Sequence, residues 1–322
     1  MKVLVTGAAG MLGRKFCNQL ATAGSIAGQK VRSLTMVDIV ESPKIEAPFD
    51  VLSLAGDLTE RGIAEQLIAD HPDIILHSAA VVSGEAEVDF DKGYRINVDA
   101  TRELFEAIRR ASYHPRVVFT SSIAVFGAPF PEVIGEEFFS TPLTSYGAQK
   151  AIGELLLADY TRKGFFDGVG IRLPTICVRP GKPNRAASGF FSSIIREPLN
   201  GQEAILPVPD TVRHWFASPR SAIGFFFRAA EIGDASLGTR RVLAMPGLSA
   251  TVGEMIESLG RCAGSDRRKL IRRVPDPAII KIVEGWPMAL DASRAENLGF
   301  KAEANFDEIV RAHIEDEGIV VR

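Results

Sequence analysis

The chain has 322 residues, of which 46% are apolar, and its formal net charge is −3. A chain of this length can bury one large core, or one core with a smaller second lobe, and its charge without Lys/Arg-rich blocks argues against a nucleic-acid surface. Its three cysteines lie far apart in sequence, which indicates neither a disulfide framework nor a metal motif and fits a reducing compartment.

The first residues carry no sign of targeting. A glycine is reached at Gly7, too early for the apolar region of a signal peptide, and no charge-free apolar run is long enough to span a bilayer. We therefore expect a cytoplasmic protein that binds no membrane, no nucleic acid and no metal.

A glycine-rich turn follows the first predicted strand, Lys2 to Thr6, and leads into a helix with apolar residues at helical spacing. Glycines permit a tight turn and a close backbone approach to a pyrophosphate, and the amino terminus of the helix favours the anion. A lone glycine triad is a weak signal, but the order strand, glycine turn, helix favours a dinucleotide. The predicted contacts are Gly7, Gly10, Met11, Leu12 and Gly13.

The strand from Ser33 to Val37 ends at an acid that bears on cofactor choice. A carboxylate at Asp38 would accept hydrogen bonds from the adenosine ribose hydroxyls and repel a 2′-phosphate, which favours NAD over NADP. The alternative is a strand-end Asp that caps a turn.

Two further strands complete the expected cofactor site. The strand around Val51 to Ala55 is followed by Asp57 and Leu58, near the expected position of an adenine. The strand that begins at Ile74 runs into Ser78 and Ala79, which leave room for the cofactor's ribose and phosphates. His77, just before them, is interpreted as a packed core residue and not as a catalyst.

A long amphipathic helix is predicted from about Phe90 to Arg110. It carries the polar residue Asn97 on a largely packed surface. Two roles stay open for Asn97: a satisfied buried amide, or a group that fixes a water near Lys150 for proton relay.

The fifth strand ends at Ser122, and the following helix begins near Ser145. Tyr146 and Lys150 stand at i and i+4 and share one helical face, where an ammonium can favour a phenolate. A free phenol has a pKa of about 10, so such help would make a general base, while a serine hydroxyl holds the reacting oxygen. The Tyr-x-x-x-Lys spacing is common by chance, and the upstream glycines make the catalytic interpretation credible.

A sixth strand at Val169 to Leu173 continues the alternation of strands and helices, which predicts an α/β fold with a doubly wound parallel (Rossmann) sheet. After Pro174 the rhythm changes. We predict an NAD-binding domain over 1–174 with a returning segment at about 215–245, and a smaller substrate lobe over 175–214 and 246–322.

The second half contains a proline-rich basic loop, Arg179 to Asn184, and several predicted elements. These are helices at Phe190 to Arg196, Ser221 to Ile232, Thr251 to Ala263, Asp291 to Leu298 and Phe306 to Glu317, and a strand at Arg241 to Ala244.

The combined motif set resembles the extended short-chain dehydrogenase/reductase family, to which the NAD-dependent sugar epimerases and dehydratases belong. It consists of Thr6, Gly7, Gly10, Gly13, Asp38, Asp57, Asn97, Ser122, Tyr146 and Lys150. The resemblance covers most of the chain. It implies that Tyr146 is the acid/base, that Lys150 lowers its pKa and binds the nicotinamide ribose, and that Ser122 orients the reacting oxygen. It also implies a homodimer through helices at about 90–110 and 145–163.

The departures from the family concern the substrate. Nucleotide-sugar members usually carry an Asn and then Tyr-Gly-Pro after the sixth strand, whereas this chain has the run from Thr175 to Pro180, so the pyrophosphate clamp is incomplete. The run is most similar to that of family members that oxidise a four-carbon sugar acid at C2. Arg179 and Arg213 are then candidates for the substrate carboxylate, and Arg213 is favoured because relatives place a substrate-facing arginine there. A surface arginine paired with water is the alternative for each.

The leading hypothesis is an NAD-dependent dehydrogenase acting on a small sugar acid, with Ser122, Tyr146, Thr175, Arg179 and Arg213 around the substrate. One alternative is an epimerase that oxidises and re-reduces a sugar carbon while retaining its NAD. Another is a catalytically silent NAD-binding regulator.

Overall fold

The computed structural model describes residues 1–181 and 188–321 of the chain. Within the first half, strands and helices alternate. They are β1 (Lys2–Thr6), α1 (Met11–Ala23), β2 (Ser25–Ile26), β3 (Gln29–Lys30), β4 (Ser33–Asp38), β5 (Asp50–Ala55), α2 (Ile63–Ile68), β6 (Ile74–His77), α3 (Ser83–Val88), α4 (Phe90–Tyr94), α5 (Ala100–Ala111), β7 (Arg116–Ser122), α6 (Ser145–Arg162) and β8 (Asp167–Leu173).

The second half contains shorter strands and further helices. They are β9 (Thr175–Ile176), α7 (Gly189–Leu199), β10 (Ala204–Leu206), β11 (Arg213–Ala217), α8 (Pro219–Glu231), α9 (Asp234–Leu237), β12 (Val242–Ala244), β13 (Leu248–Thr251), α10 (Val252–Ala263), β14 (Ile271–Arg273), α11 (Pro277–Val283), α12 (Ser293–Asn297) and α13 (Phe306–Asp316).

The central sheet is parallel and has the strand order β5-β4-β1-β6-β7-β8-β12. Its inner strands β1 and β6 are mostly apolar and are buried along almost their whole length, because helices cover both faces. The chain moves outward in one direction from β1 through β4 to β5, and in the other direction from β6 onward. The loops after β1 and β6 therefore meet at the switch point, where sheets of this type bind ligands. The predicted Rossmann architecture is confirmed.

Each face of this sheet packs against its own set of helices. One apolar cluster joins the sheet to α1 and α8, and includes Phe16 and Phe226. The other joins it to α2, α5 and α6, and includes Phe105 and Leu157. The predicted helix at Ser221 to Ile232 is thus α8, which returns to the central sheet, and the predicted strand at Arg241 to Ala244 is its edge strand β12.

The predicted helix from Phe90 to Arg110 is helical but not uniform. A π-helical segment at Arg95–Asp99 joins α4 to α5, and Asn97 lies within it. A π turn inserts one residue into the helical ladder and is frequent at functional sites, so amphipathic spacing alone does not reveal it.

A second group of elements packs beside the sheet. Its three-stranded sheet has the order β13-β11-β9, and its apolar cluster draws on α7, α10 and α13. The exact domain boundaries remain a prediction. The helix predicted at Asp291 to Leu298 is present but shorter, as α12.

Several short elements were not expected from sequence: in the first half the β2–β3 hairpin and the helices α2 and α3, and in the second half the strands β9, β10, β11, β13 and β14 and the helices α9 and α11. The hairpin turn holds Ala27 and Gly28 at φ values of 50° and 69°, and a non-glycine residue at such a value is uncommon. Across the described ranges, no helix has the length and apolar character needed to cross a membrane.

Candidate active site

The glycine loop follows β1 and lies against the chain that follows β6. A Cβ atom on Gly7 would lie 2.6 Å from the backbone nitrogen of Ala79, and one on Gly13 would lie 2.2 Å from the carbonyl oxygen of Gly7. Gly7 also has φ of +74°, a value that favours glycine. Any side chain here would fill the loop, so the sequence pattern is explained by close backbone approach.

The amino terminus of α1 faces this loop with Gly10 at the N-cap, and no side chain caps its first turn. The N–H groups of this turn, in Met11 to Gly13, lack helical acceptors, and the helix dipole makes them a site for an anion. A cradle without side chains, bordered by such N–H groups, fits the pyrophosphate of a dinucleotide.

Asp38 ends β4 beside the same loop. Its Oδ2 accepts a hydrogen bond from the N–H of Ala9 at 2.9 Å, and its Oδ1 accepts one from the N–H of Ile39 at 2.8 Å. The carboxylate thus holds the glycine loop, which agrees with the capping alternative. A carboxylate has acceptor capacity for about four hydrogen bonds, so the predicted ribose contact stays compatible with this arrangement.

The remaining predicted cofactor residues line the adjoining strand ends. Asp57 caps its own turn through a 2.8 Å hydrogen bond from the N–H of Thr59, and Leu58 is buried. Ser78 donates its hydroxyl to the carbonyl oxygen of Thr6 at 2.7 Å, which joins β1 to the chain after β6. The small residues therefore serve the close packing of the switch point.

His77 is a packed core residue, as expected. Thr101 donates its hydroxyl to the carbonyl oxygen of Asn97, so Nε2 of His77, 2.9 Å from that hydroxyl, carries the proton and donates it. Nδ1 then accepts from the hydroxyl of Thr6 at 2.7 Å. Burial lowers the pKa of His77 to about 3, with a smaller contribution from the charge of Lys150, and the imidazole is neutral.

Asn97 shows the geometry of a satisfied buried amide. Its Oδ1 accepts from the N–H of Val81, and its Nδ2 donates to the carbonyl oxygen of Val81 and to Oε1 of Gln149. These bonds connect the chain after β6 to the π-helical segment and to α6. The alternative role, fixing a water near Lys150, remains a prediction.

Tyr146 and Ser122 are brought together by a glycine and a cap. Thr144 caps α6 by accepting the N–H of Gly147 at 3.1 Å, so Tyr146 lies in the first turn. A Cβ on Gly147 would lie 2.1 Å from the carbonyl oxygen of Ala124. This close approach sets the start of α6 against the segment that follows Ser122.

Lys150 is buried below them. Its Nζ donates to the carbonyl oxygen of Thr120 at 2.9 Å and lies 5.8 Å from the ring centroid of Tyr146. Burial lowers the pKa of Lys150 to about 8, and the charge of Glu154 works in the opposite direction.

The expected lowering of the phenol pKa by Lys150 is not what the structure shows. Burial raises the pKa of Tyr146 to about 12, and this rise is opposed by the charge of Arg179 and by the hydroxyl of Ser122. The prediction from the i, i+4 spacing was wrong on this point because it ignored desolvation, which here outweighs the attraction of nearby groups.

The predicted substrate residues occupy different surroundings. Thr175 hydrogen-bonds Nε2 of the buried His214 at 2.7 Å. Arg213 is 39% exposed and lies 3.4 Å from the carboxylate of Glu254. Arg179 bonds to backbone and serine oxygens. The rest of the predicted basic loop, 182–184, lies outside the described residues.

Sequence reasoning missed a buried network behind Lys150. The carboxylate of Glu154 accepts from the hydroxyl of Ser121 and, at 2.7 and 2.9 Å, from the guanidinium of Arg172. Glu154 stands at i+4 from Lys150, and Ser121 precedes Ser122. The available signal was an acid at helical spacing from a catalytic candidate, on a face already expected to be buried.

The family model described as the NAD dependent epimerase/dehydratase family matches residues 3–216. The D-erythronate dehydrogenase of Cupriavidus necator is 46% identical and covers 99% of both chains. That of Haemophilus influenzae is 39% identical and covers 98% of this chain and 99% of its own.

Several solved structures are similar over nearly the whole chain. The nucleoside-diphosphate-sugar epimerase from Agrobacterium tumefaciens is 58% identical, with a TM-score of 0.97, and the match covers 100% of this chain and 96% of that one.

Proposed function

The chain belongs to the NAD-dependent epimerase/dehydratase family, and we propose that it oxidises a secondary hydroxyl of a small sugar acid, D-erythronate to 2-dehydro-D-erythronate. It is an NAD-dependent oxidoreductase. The observation that carries the proposal is the meeting of Ser122, Tyr146 and Lys150 at the carboxyl edge of the sheet that bears the glycine loop. The two similar D-erythronate dehydrogenases support the choice of substrate.

In the proposed reaction, the C2 hydroxyl of the acid lies between the side chains of Ser122 and Tyr146. The phenolate oxygen of Tyr146 takes the hydroxyl proton, and the Ser122 hydroxyl holds the oxygen that becomes a ketone. The glycine loop and the first turn of α1 would hold NAD, which would supply the acceptor for the hydride of C2. The products are the 2-oxo acid, NADH and one proton.

The charges around the phenol decide how easily it gives up its proton. Because burial raises the pKa of Tyr146 to about 12, its phenol is protonated at neutral pH. Arg179 and Ser122 both act against this rise, and each unit by which they lower the pKa makes deprotonation easier by about 1.4 kcal/mol. The ammonium of Lys150 lies 5.8 Å from the centroid of the ring and would bind the nicotinamide ribose.

The similarity to the Agrobacterium protein favours one second candidate. An epimerase of a nucleotide sugar would oxidise and re-reduce the same carbon and would not release NADH. A catalytically silent regulator would show no turnover. Cytoplasmic location and a homodimer complete the leading proposal.

The test is NADH formation from NAD with a panel of four- to six-carbon aldonates and uronates. A parallel assay looks for changes in nucleotide sugars. We expect net NADH with D-erythronate, formed about 100-fold or more slowly by Tyr146→Phe. Conversion of a nucleotide sugar without net NADH would instead support the epimerase, and no reaction in either assay would overturn the dehydrogenase.

A further inference from the structure

Arg179 follows the strand end that borders the reacting residues. Leu173, the last residue of β8, is paired in register with Ser122, and β9 at Thr175–Ile176 continues from there to Arg179. We propose that the guanidinium of Arg179 binds the substrate carboxylate and so makes the enzyme selective for 2-hydroxy acids over neutral polyols. This inference rests on the proposed function and adds the residue that recognises the acid.

The guanidinium of Arg179 is held from two sides by uncharged groups. Its Nε donates to the carbonyl oxygen of Ile176 at 3.0 Å, and its Nη2 donates to the hydroxyl of Ser188 at 2.8 Å. Its backbone is held as well, because its N–H donates to Ser192 and its carbonyl oxygen accepts from Arg196. The side chain is therefore oriented before any ligand arrives, which reduces the entropy lost on binding.

Among the residues that the structure describes, Arg179 has no acidic partner for its positive charge, unlike other arginines with little exposure. Four arginine side chains that are at most 14% exposed each form an ion pair with a carboxylate. They are Arg116, Arg172, Arg196 and Arg241.

Within 1–181 and 188–321, no carboxylate lies within 4.0 Å of the Arg179 guanidinium, and the intervening residues 182–187 include no Asp or Glu. Arg179 is half-buried, and a charge partly removed from water without a counter-ion is costly. Burial accordingly lowers the pKa of Arg179, while its nearness to Cys177 and Tyr146 works against that. A bound carboxylate would supply the missing negative charge.

The position suits a 2-hydroxy acid. In such a molecule the carboxylate is attached to the carbon that carries the reacting hydroxyl, so its anion site must lie close to the proton acceptor. The charge of Arg179 lowers the pKa of Tyr146, and the phenolate of Tyr146 would raise the pKa of Arg179, as expected of two groups that lie near each other. A planar guanidinium can bind both carboxylate oxygens and present C2 to the phenol.

The competing candidate, Arg213, is already engaged. Its Nη1 donates to the carbonyl oxygen of Ser249 at 3.1 Å, and its Nη2 lies 3.4 Å from the carboxylate of Glu254. An exposed arginine with an acid partner has less to gain from a substrate anion than a covered one without such a partner. The structure therefore favours Arg179 over the arginine preferred from sequence.

The experiment compares D-erythronate with its neutral amide in the wild type and in Arg179→Met, with Arg213→Met as the matched control. We expect Arg179→Met to lower kcat/KM for the acid by about 30-fold or more beyond any loss for the amide, because its effect on the phenol of Tyr146 is common to both substrates and the carboxylate contact is made only by the acid. Arg213→Met should leave the ratio of acid to amide unchanged. Added guanidinium ion should partly restore turnover of the acid by Arg179→Ala, and NAD affinity reports folding of every variant.

The possible failures are distinguishable. If the wild type forms no NADH from any aldonate, the proposed function is wrong. If the wild type oxidises D-erythronate but Arg179→Met lowers turnover of the acid and of the amide by the same factor, Arg179 does not bind the carboxylate. The same conclusion follows if Arg179→Met lowers the turnover of neither substrate. Should Arg179→Met fail to bind NAD, Arg179→Lys gives the same comparison, because an ammonium cannot reproduce the two-pronged contact. Loss of the acid preference in Arg213→Met alone would place the anion there.

Discussion

The Nζ of Lys150 donates a hydrogen bond to the carbonyl oxygen of Thr120 at 2.9 Å, which ties the catalytic helix to the strand that carries Ser122. One helical turn beyond Lys150, Glu154 holds Arg172 and Ser121. The reacting groups thus pack beside three buried groups of alternating charge, Lys150, Glu154 and Arg172, which connect α6 to β7 and β8. Removing one of these charges should disturb both stability and catalysis.

Glu154→Gln is expected to lower the free energy of unfolding by about 3–5 kcal/mol, because it leaves the guanidinium of Arg172 covered without its counter-ion. The loss of negative charge should also lower the pKa of Lys150 below about 8, so the alkaline limb of the activity profile should move to lower pH. Urea denaturation and the pH dependence of kcat/KM measure the two effects. Glu137→Gln, which breaks an exposed pair with Arg240, is the control and should leave the free energy of unfolding nearly unchanged. Equal losses in the two variants would contradict the buried network.

Tyr146→Phe should lower turnover by about 100-fold or more, because it keeps the ring and removes the oxygen that accepts the proton. NAD binding, measured by calorimetry, should persist. The same substitution at Tyr160, whose hydroxyl hydrogen-bonds Glu106 outside the site, is the control and should leave turnover within about 3-fold of the wild type. Near-normal turnover by Tyr146→Phe would remove the tyrosine from the mechanism.

The sequence is most informative where one residue type is sterically required. Gly7 and Gly13 follow a strand and open a helix, and a Cβ at either position would collide with backbone, so the loop could be predicted from composition and spacing. The parallel sheet follows from alternating elements in the same way.

Other features depend on contacts between distant segments and were not predictable. The π turn around Asn97 leaves apolar spacing almost unchanged, and the phenol pKa of Tyr146 depends on burial and on Arg179, which is far away in sequence. Likewise, Arg213 and Arg179 are the same residue type, and the sequence alone does not show which of them has an acidic partner. They differ only once Glu254 is found beside the first.

Asp38→Asn tests the choice of cofactor. The amide is nearly isosteric but cannot accept on both sides, so we expect weaker NAD binding and a smaller preference for NAD over NADP. Because Asp38 also holds the N–H groups of Ala9 and Ile39, some loss of stability should accompany the change. Dissociation constants for both cofactors, measured on the wild type and the variant, give the comparison. A wild type that prefers NADP would refute the ribose role.

Leu155→Glu tests assembly. Leu155 lies on α6 and is 73% exposed in the single chain, which fits a helix that packs against a second copy. A buried, unpaired carboxylate would oppose that contact, so sedimentation should show a dimer for the wild type and a monomer for the variant. Ile205→Glu on β10, 60% exposed in the single chain, is the control and should remain dimeric. A wild type that is monomeric at micromolar concentration would overturn the expectation.

Acid should destabilise the protein through its buried imidazoles. Burial lowers the pKa of His77 and His214 to about 3 and that of His313 to about 4, from 6.5 in each case. Between these values and 6.5 the unfolded chain binds more protons than the folded one. The stability contributed by the neutral rings is therefore complete above pH 6.5 and is lost as the pH falls below it.

Each of these histidines should steepen the fall by about 1.4 kcal/mol per pH unit within that window. His77→Gln keeps a donor and an acceptor for Thr101 and Thr6 but cannot titrate, so it should unfold with a slope against pH that is smaller by about one proton. Urea denaturation at pH steps between neutrality and the acid limit of solubility gives both slopes. Identical slopes would mean that protonation of His77 is not coupled to unfolding.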